Sequence, residues 1–289
     1  MSALISRRSL LASGLALCST GCTQLAFLAV NVPASFGDYT RHRDIAYGEL
    51  PRNQLDVYLP AKPAGAPIVV FFHGGGWDSG DKSAYKFIGA ALAEQGYIAV
   101  LPNYRLYPQV KFPAFMQDAA QAVAWVRAHL PEWSGDPQRL YLMGHSAGAQ
   151  IATLLALNIE YLRAAQVDPA VIRGVIGLAG PYDFIPFKYG YMADLFGPPQ
   201  RFIESQPIHF VRADAPPMLL LHGLQDKTVA PYNTEHLAHA LSVVGVKVTT
   251  QFYPKASHSD LLAALSIPAR GRLPVLEAIH EFIAADGVL

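Results

Sequence analysis

The sequence predicts a single α/β domain, built on a mostly parallel sheet with helices on both faces. Three observations predict it. Short, almost wholly apolar runs, such as Ile68-Val69-Val70-Phe71-Phe72 and Met218-Leu219-Leu220-Leu221, have the composition of strands covered on both faces. Longer helix-like stretches alternate with these runs, an order that gives parallel strands joined by right-handed crossovers. The chain has 289 residues, 52% hydrophobic and 15% charged, which is enough for one large core and far from the composition of a disordered chain.

The elements follow in order. Residues 43–47 and 55–59 read as edge strands, and Pro60-Ala61-Lys62-Pro63-Ala64-Gly65 as the turn before the strand at 68–72. Helices are predicted over 84–95, 112–130, 147–159, 232–245 and 273–285, with strands at 140–143, 175–179, 218–223 and 248–253. Trp125, on the 112–130 helix with Asp118, Ala122 and Val126, is assigned to the core. Residues 181–217 break the alternation. They carry Phe184, Phe187, Tyr189, Tyr191, Phe196 and Pro198-Pro199, and a connection this long and aromatic reads as a small lid over a site.

Gly144-His145-Ser146-Ala147-Gly148 stands between an apolar strand and a helix. A serine at such a corner is held in a strained turn with its hydroxyl exposed, and the helix N-terminus beneath it favours developing negative charge. A serine hydroxyl needs a base and an orienting acid, and for this kind of elbow the chain order is Ser, Asp or Glu, then His. Asp226 follows the strand at 218–223, and His258 follows the strand at 248–253. Asp183 is the competing acid, and Asp260 is read as solvated. Among the ten histidines, His222 is read as packing, and His209, His236 and His239 as surface. His73-Gly74-Gly75-Gly76-Trp77 follows a buried strand. A Gly triplet lets backbone amides turn inward to bind an oxyanion, together with the amide of Ala147. The Gly-Lys-Ser/Thr run of a phosphate loop is absent, since Asp81 stands between Gly80 and Lys82-Ser83, and so is a dinucleotide fingerprint after the first strand.

With these residues the chain resembles the α/β-hydrolase superfamily, in particular the His-Gly-Gly-Gly carboxylesterases and lipases. It is most similar to their bacterial feruloyl-esterase-like and prenylcysteine-methylesterase-like branch. Further matching segments are Ser79-Gly80-Asp81-Lys82, Asn103-Tyr104-Arg105-Leu106-Tyr107-Pro108, Gly135-Asp136-Pro137-Gln138-Arg139 and His222-Gly223-Leu224-Gln225-Asp226, and the likeness covers about residues 43–285. The resemblance implies an eight-stranded, mostly parallel sheet with a small lid insertion. It implies Ser146 as nucleophile, His258 as base and Asp226 as acid, with Gly75, Gly76 and Ala147 as oxyanion donors. Residue 145 is His where many hormone-sensitive-lipase-type members carry Asp, and the N-terminal helical cap of that group is missing.

The expected activity is carboxylic ester hydrolysis through an acyl-enzyme, on a small-molecule ester, with no organic cofactor and no metal. Trp77, Tyr104, Phe184, Phe187 and Tyr189, with Tyr191, are expected to line an apolar acyl or aryl pocket. An amide hydrolase of arylformamidase or peptidase type with the same triad is an alternative. A non-catalytic exported binding protein on the same scaffold is another. Net charge is zero with no basic run after the N-terminus, which excludes nucleic acid as a partner.

Residues 1–34 have their own pattern, and the catalytic domain is assigned to 35–289. Ser6-Arg7-Arg8-Ser9-Leu10-Leu11 is a twin-arginine start followed by an apolar stretch through Leu17, the pattern of a bacterial export signal. Both cysteines, Cys18 and Cys22, lie here. Ser19-Thr20-Gly21-Cys22 resembles a lipoprotein cleavage box, and acylation of Cys22 tethers the enzyme to a membrane. A soluble periplasmic form cut after Ala34 and an uncleaved anchor over residues 10–30 are the alternatives. The rest of the chain has no cysteine, so no disulfide supports the fold.

Overall fold

The computed structural model describes residues 27–287; Arg7, Arg8, Cys18 and Cys22 lie outside the described residues. Eight strands form one sheet: β1 (Tyr39–Ala46), β2 (Gln54–Pro60), β3 (Ile68–Phe72), β4 (Ile98–Pro102), β5 (Leu140–His145), β6 (Ile172–Leu178), β7 (Met218–Gly223) and β8 (Val248–Tyr253). Their order across the sheet is β1-β2-β4-β3-β5-β6-β7-β8. β1 with β2 and β2 with β4 are antiparallel, and every later pairing is parallel.

Residues 27–31 are helical (α1). They are followed by α2 (Lys86–Glu94), α3 (Ala114–Trp133), α4 (Ala147–Leu157), α5 (Glu160–Ala164), α6 (Tyr191–Leu195), α7 (Tyr232–Val243), α8 (Asp260–Ala263) and α9 (Val275–Ala284). β3, β4 and β5 are buried at every position because helices cover both faces. Ile68, Val70 and Phe72 pack toward α3 and α4, while Val69 and Phe71 pack toward α2 and α9. Among the described residues, no helix is long and apolar enough to cross a membrane.

The predicted elements are present, with shifted ends. β1 begins four residues before the predicted 43–47, because an edge strand open to solvent accepts Tyr39-Thr40-Arg41-His42 without an apolar pattern. β4 occupies the stretch between the predicted helices at 84–95 and 112–130. The first of those helices opens as a 3₁₀ turn, Lys82–Tyr85, capped by Asp81 Oδ1 on the Ser83 amide (2.9 Å). α3 continues past Leu130 to Trp133, with Pro131 tolerated in its last turn. Trp125 is only partly buried, stacked on His129 at 3.9 Å between ring centres.

A polar frame fastens the glycine loop that follows β3. Asp56 is fully buried and accepts from Arg41 Nη2 (2.5 Å), Lys82 Nζ (2.7 Å) and the Asp44 amide (3.0 Å). The Lys82 amide donates to Asn103 Oδ1 (2.7 Å), and Arg52 donates to the carbonyls of Tyr104 (2.7 Å) and Gly80 (2.9 Å). Arg105 forks onto Asp118 and so ties the end of β4 to α3. Removing one member of a buried ion cluster strands the charges left behind. Asp56→Ala is therefore expected to lower the unfolding free energy by about 3 kcal/mol, measured by urea unfolding. A loss below about 1 kcal/mol would put the cluster on a par with exposed ion pairs.

Candidate active site

Ser146 sits where β5 ends and α4 begins, with φ 55° and ψ −124°, a conformation that only surrounding contacts sustain in a non-glycine residue. Its amide donates to the Leu178 carbonyl (2.9 Å), which fixes the corner against β6. The flanking glycines are sterically required. A Cβ on Gly144 would lie 2.2 Å from the Gly148 carbonyl, and one on Gly148 would lie 2.0 Å from the Phe72 carbonyl oxygen. α4 is buried along its whole length; the amides of Ala149 (2.9 Å) and Gln150 (3.2 Å) donate to the Ser146 carbonyl, while that of Ala147, at the first helical position, has no intrahelical acceptor.

The structure brings Asp226 and His258 together. His258 Nδ1 donates to Asp226 Oδ2 at 2.7 Å, which leaves Nε2 as the free lone pair. Asp226 Oδ1 accepts from the amides of Thr228 (2.8 Å) and Val229 (2.9 Å). Burial pushes the Asp226 carboxyl up, but hydrogen bonds from His222 and His258, the His258 charge and the Val229 amide outweigh it. The group is held well below the usual carboxylate range. The Ser146 hydroxyl makes no side-chain hydrogen bond among the described residues. Such contacts are often long before substrate binds.

Three neighbours do more than their sequence context indicates. His222, read as packing, is fully buried with Nε2 3.3 Å from Asp226 Oδ2 and 3.0 Å from the Val229 carbonyl, while Nδ1 accepts from Thr234 Oγ1 (2.8 Å). Asp260, read as solvated, is exposed, and it also accepts from the amide (2.7 Å) and hydroxyl (2.6 Å) of Ser257, so it shapes the turn that carries His258. His145 donates from Nε2 to the His258 carbonyl (2.9 Å), with the two rings 4.7 Å apart. Only the spacing Ser257–Asp260, a side-chain turn pattern, was visible beforehand. The competing acid Asp183 faces away and pairs with His236 Nδ1 at 2.7 Å.

A cavity of about 440 Å³ opens in front of Ser146. Gly76, Trp77 and Ala147 line it on one side, and Phe184, Tyr189, Tyr191 and Met192 line it on the other. Gly75 is not part of the wall; its carbonyl accepts from the Ser79 amide (3.0 Å) and hydroxyl (2.8 Å), which curls the loop. Gly75 and Gly76 have φ of 121° and 58°, and a Cβ on Gly75 would meet the Ser79 carbonyl oxygen at 2.3 Å. Tyr191 donates to the Gly76 carbonyl (3.1 Å). Two of the expected pocket residues are placed elsewhere. Tyr104 is fully buried behind the loop, stacked on His73 at 4.4 Å with its hydroxyl donating to the His73 carbonyl (2.7 Å). Phe187 packs on Phe184, Phe196 and Phe202 and holds the 181–217 segment together from within.

The strand order, the strained serine corner after β5 and the acid and histidine after β7 and β8 define an α/β-hydrolase fold. The chain belongs to the BD-FAE family, whose model matches residues 55–241. It is 32% identical over 268 residues to an isoprenylcysteine alpha-carbonyl methylesterase of Arabidopsis thaliana, covering 85% of this chain and 62% of that one. It is 30% identical over 287 residues to the esterase LipQ of Mycobacterium tuberculosis, covering 88% and 65%. The chain thus spans less than two thirds of the length of these curated relatives. Esterase B of Lactobacillus rhamnosis has the same fold, with a TM-score of 0.80 at 22% identity, covering 98% of this chain and 97% of that one.

Two histidines of the site are buried and held neutral. Burial lowers His73 to about 4, and burial followed by repulsion from His258 lowers His145 to about 3, against an ordinary value of 6.5. Unfolding therefore takes up protons between these folded values and 6.5. The stability from this source is complete above about 6.5 and is lost as pH falls toward 4. His145→Gln is expected to remove about one proton from that uptake. The urea midpoint of the variant should then fall less steeply than that of the parent over this acid range, and an identical slope would refute the assignment.

Proposed function

We propose that this chain is a serine carboxylesterase acting on esters with an apolar acyl or aryl portion. The observation that carries the reading is the 2.7 Å bond from His258 Nδ1 to Asp226, set beside a strained Ser146 at the mouth of a cavity lined largely by apolar side chains. His258 Nε2 takes the Ser146 proton as Oγ attacks the ester carbonyl. Asp226 keeps the proton on Nδ1 and stabilises the imidazolium. The carbonyl electrons move to oxygen, where the amides of Gly75, Gly76 and Ala147 serve as donors at the N-terminus of α4. The tetrahedral intermediate collapses, the C–O bond to the alcohol breaks, and His258 returns its proton to the leaving alcohol. Water, deprotonated by His258, then attacks the acyl-enzyme by the same route and releases the acid. Esterase activity among the relatives supports the ester reading over the amide one. We further propose that residues 1–34 direct export and that Cys22 is the lipid attachment site.

Three outcomes test the site. Ser146→Ala is expected to lower kcat on p-nitrophenyl butyrate by roughly 10⁶-fold, and to abolish labelling by a fluorophosphonate. Equal turnover in parent and variant would place the chemistry elsewhere. Asp226→Asn is expected to lower kcat by about 10⁴-fold with little change in KM, whereas Asp183→Asn leaves both unchanged. Loss on Asp183→Asn alone would reverse the choice of acid. Phe184→Ala and Tyr189→Ala, which open the cavity wall, should raise KM for aryl esters several-fold. Phe187→Ala should instead lower the melting temperature and leave KM unaltered. The same KM for all three variants would remove the 181–217 segment from substrate binding.

A further inference from the structure

The chain from Phe27 to Phe36 is apolar on two sides. Its inner side is docked on the body. The Phe27 ring packs on Tyr85 at 5.5 Å, Ala34 is buried, and Asn31 bonds through Nδ2 to the Ala84 carbonyl (2.8 Å) and through Oδ1 to the Phe87 amide (3.0 Å). Its outer side carries Leu28, Val32 and Phe36 at four-residue spacing, 58%, 50% and 85% exposed. Ile267, 44% exposed on a 3₁₀ turn packed beside Pro33–Phe36, extends the same surface. Contiguous large apolar groups on an outer face mark an interaction surface.

Two features say what covers it. The first is charge. Lys86 donates to Ser35 Oγ and pairs with no carboxylate among the described residues, and Arg41 and Arg43 lie close enough to disfavour its charge. Of the nearby acids, Asp44, Asp56 and Glu94 are engaged by Lys82, Arg43, Arg41 and Arg270, and exposed Asp38 is the one without an ion pair among the described residues, so the margin keeps a small cationic excess. An apolar strip with a cationic margin suits anionic lipid headgroups. The second is reach. Phe27 is five residues on from Cys22, and five extended steps span at most about 18 Å. A chain acylated at Cys22 therefore holds this face against the bilayer.

We propose that Leu28, Val32, Phe36 and Ile267 form a membrane-docking face, by which the folded body lies on the lipid surface that its N-terminal anchor reaches. This inference rests on the anchored reading of residues 1–34 given above. The test uses the full chain on phosphatidylethanolamine–phosphatidylglycerol vesicles containing a clickable phospholipid. The photo-crosslinker p-benzoylphenylalanine replaces Phe36 in one sample and Val243, which is 72% exposed on α7, in another. Sedimentation with vesicles reports the anchor, and lipid adducts report docking. The expected result is sedimentation of both proteins, with several-fold more lipid adduct at position 36. Equal adducts at both positions in sedimenting protein would overturn the docking face and leave the anchor standing. Adducts at position 36 to a second copy of the chain would also overturn it. Protein that stays in the supernatant would overturn the anchor, and the docking face with it. The variant Leu28→Ser, Val32→Ser, Phe36→Ser is expected to retain ester hydrolysis in solution. Full lipid adducts from a neighbouring crosslinker at position 35 in that variant would count against the apolar strip.

Discussion

The architecture of the site depends on how closely the first turn of α4 approaches the end of β3. Where Gly148 meets the Phe72 carbonyl there is no room for a Cβ. That approach does two things at once. It forces Ser146 into its positive-φ corner, and it brings the helix N-terminus beside the loop into which β3 runs. Ser146 and the His73–Gly76 loop are thus positioned by one steric contact between backbone atoms. Backbone packing of this kind is stiffer than any side-chain bond, which suits a site whose donors must be in place before charge develops.

The charge arrangement follows the same economy. Asp226 is buried and serves several donors: His258, His222 and the amides of Thr228 and Val229. A carboxylate saturated in this way is held ionised against the upward push of burial. Around it, the histidines divide by environment. His145 is enclosed and neutral, and it spends its one N–H on the His258 carbonyl, whereas His258 retains some solvent contact and a free Nε2. A second imidazolium at His145 would oppose the charge that His258 takes on in the proposed mechanism, so enclosing it removes a competitor for the proton.

Much of this was legible in the sequence. Unbroken apolar runs located the buried strands, and the Gly-x-Ser-x-Gly and His-Gly-Gly-Gly segments located the corner and the loop, since steric demands of that severity leave few residue choices. The strand-and-turn setting beside the strand that leads to His258 favoured Asp226 over Asp183; in the structure Asp226 bonds His258, and Asp183 bonds His236. The rest depends on tertiary contact. β1 escaped its full length because an edge strand has little hydrophobic signature. Tyr104 and Phe187 look like pocket aromatics in a linear reading, yet one stacks behind the loop and the other packs inside the 181–217 segment. Which side of a ring faces solvent is decided by its neighbours, and spacing does not encode it. His145 and Asp260 support the His258 turn through bonds that only folding creates.

Trp77 shows how the loop, the helix and the 181–217 segment are joined into one wall. Its backbone adopts φ 63°, its ring is almost wholly buried, and its Nε1 donates to Gln150 Oε1 (3.1 Å) on α4. Gln150 Nε2 in turn donates to the Ser205 carbonyl (2.8 Å), and Gln206 Oε1 accepts from the Phe184 amide (2.7 Å). The indole also stacks on Phe184 at 5.7 Å and meets Phe196 edge-on at 5.0 Å. The residue that ends the glycine loop is therefore the one that fixes the facing wall of the cavity. The amides beside Ser146 and the cavity wall that faces them are set by the same side chain. A change in the size of that ring cannot alter the pocket without also moving the loop. In the proposed pocket, specificity is freer to vary farther out, at Tyr189, where the wall is exposed and carries no such chain of bonds.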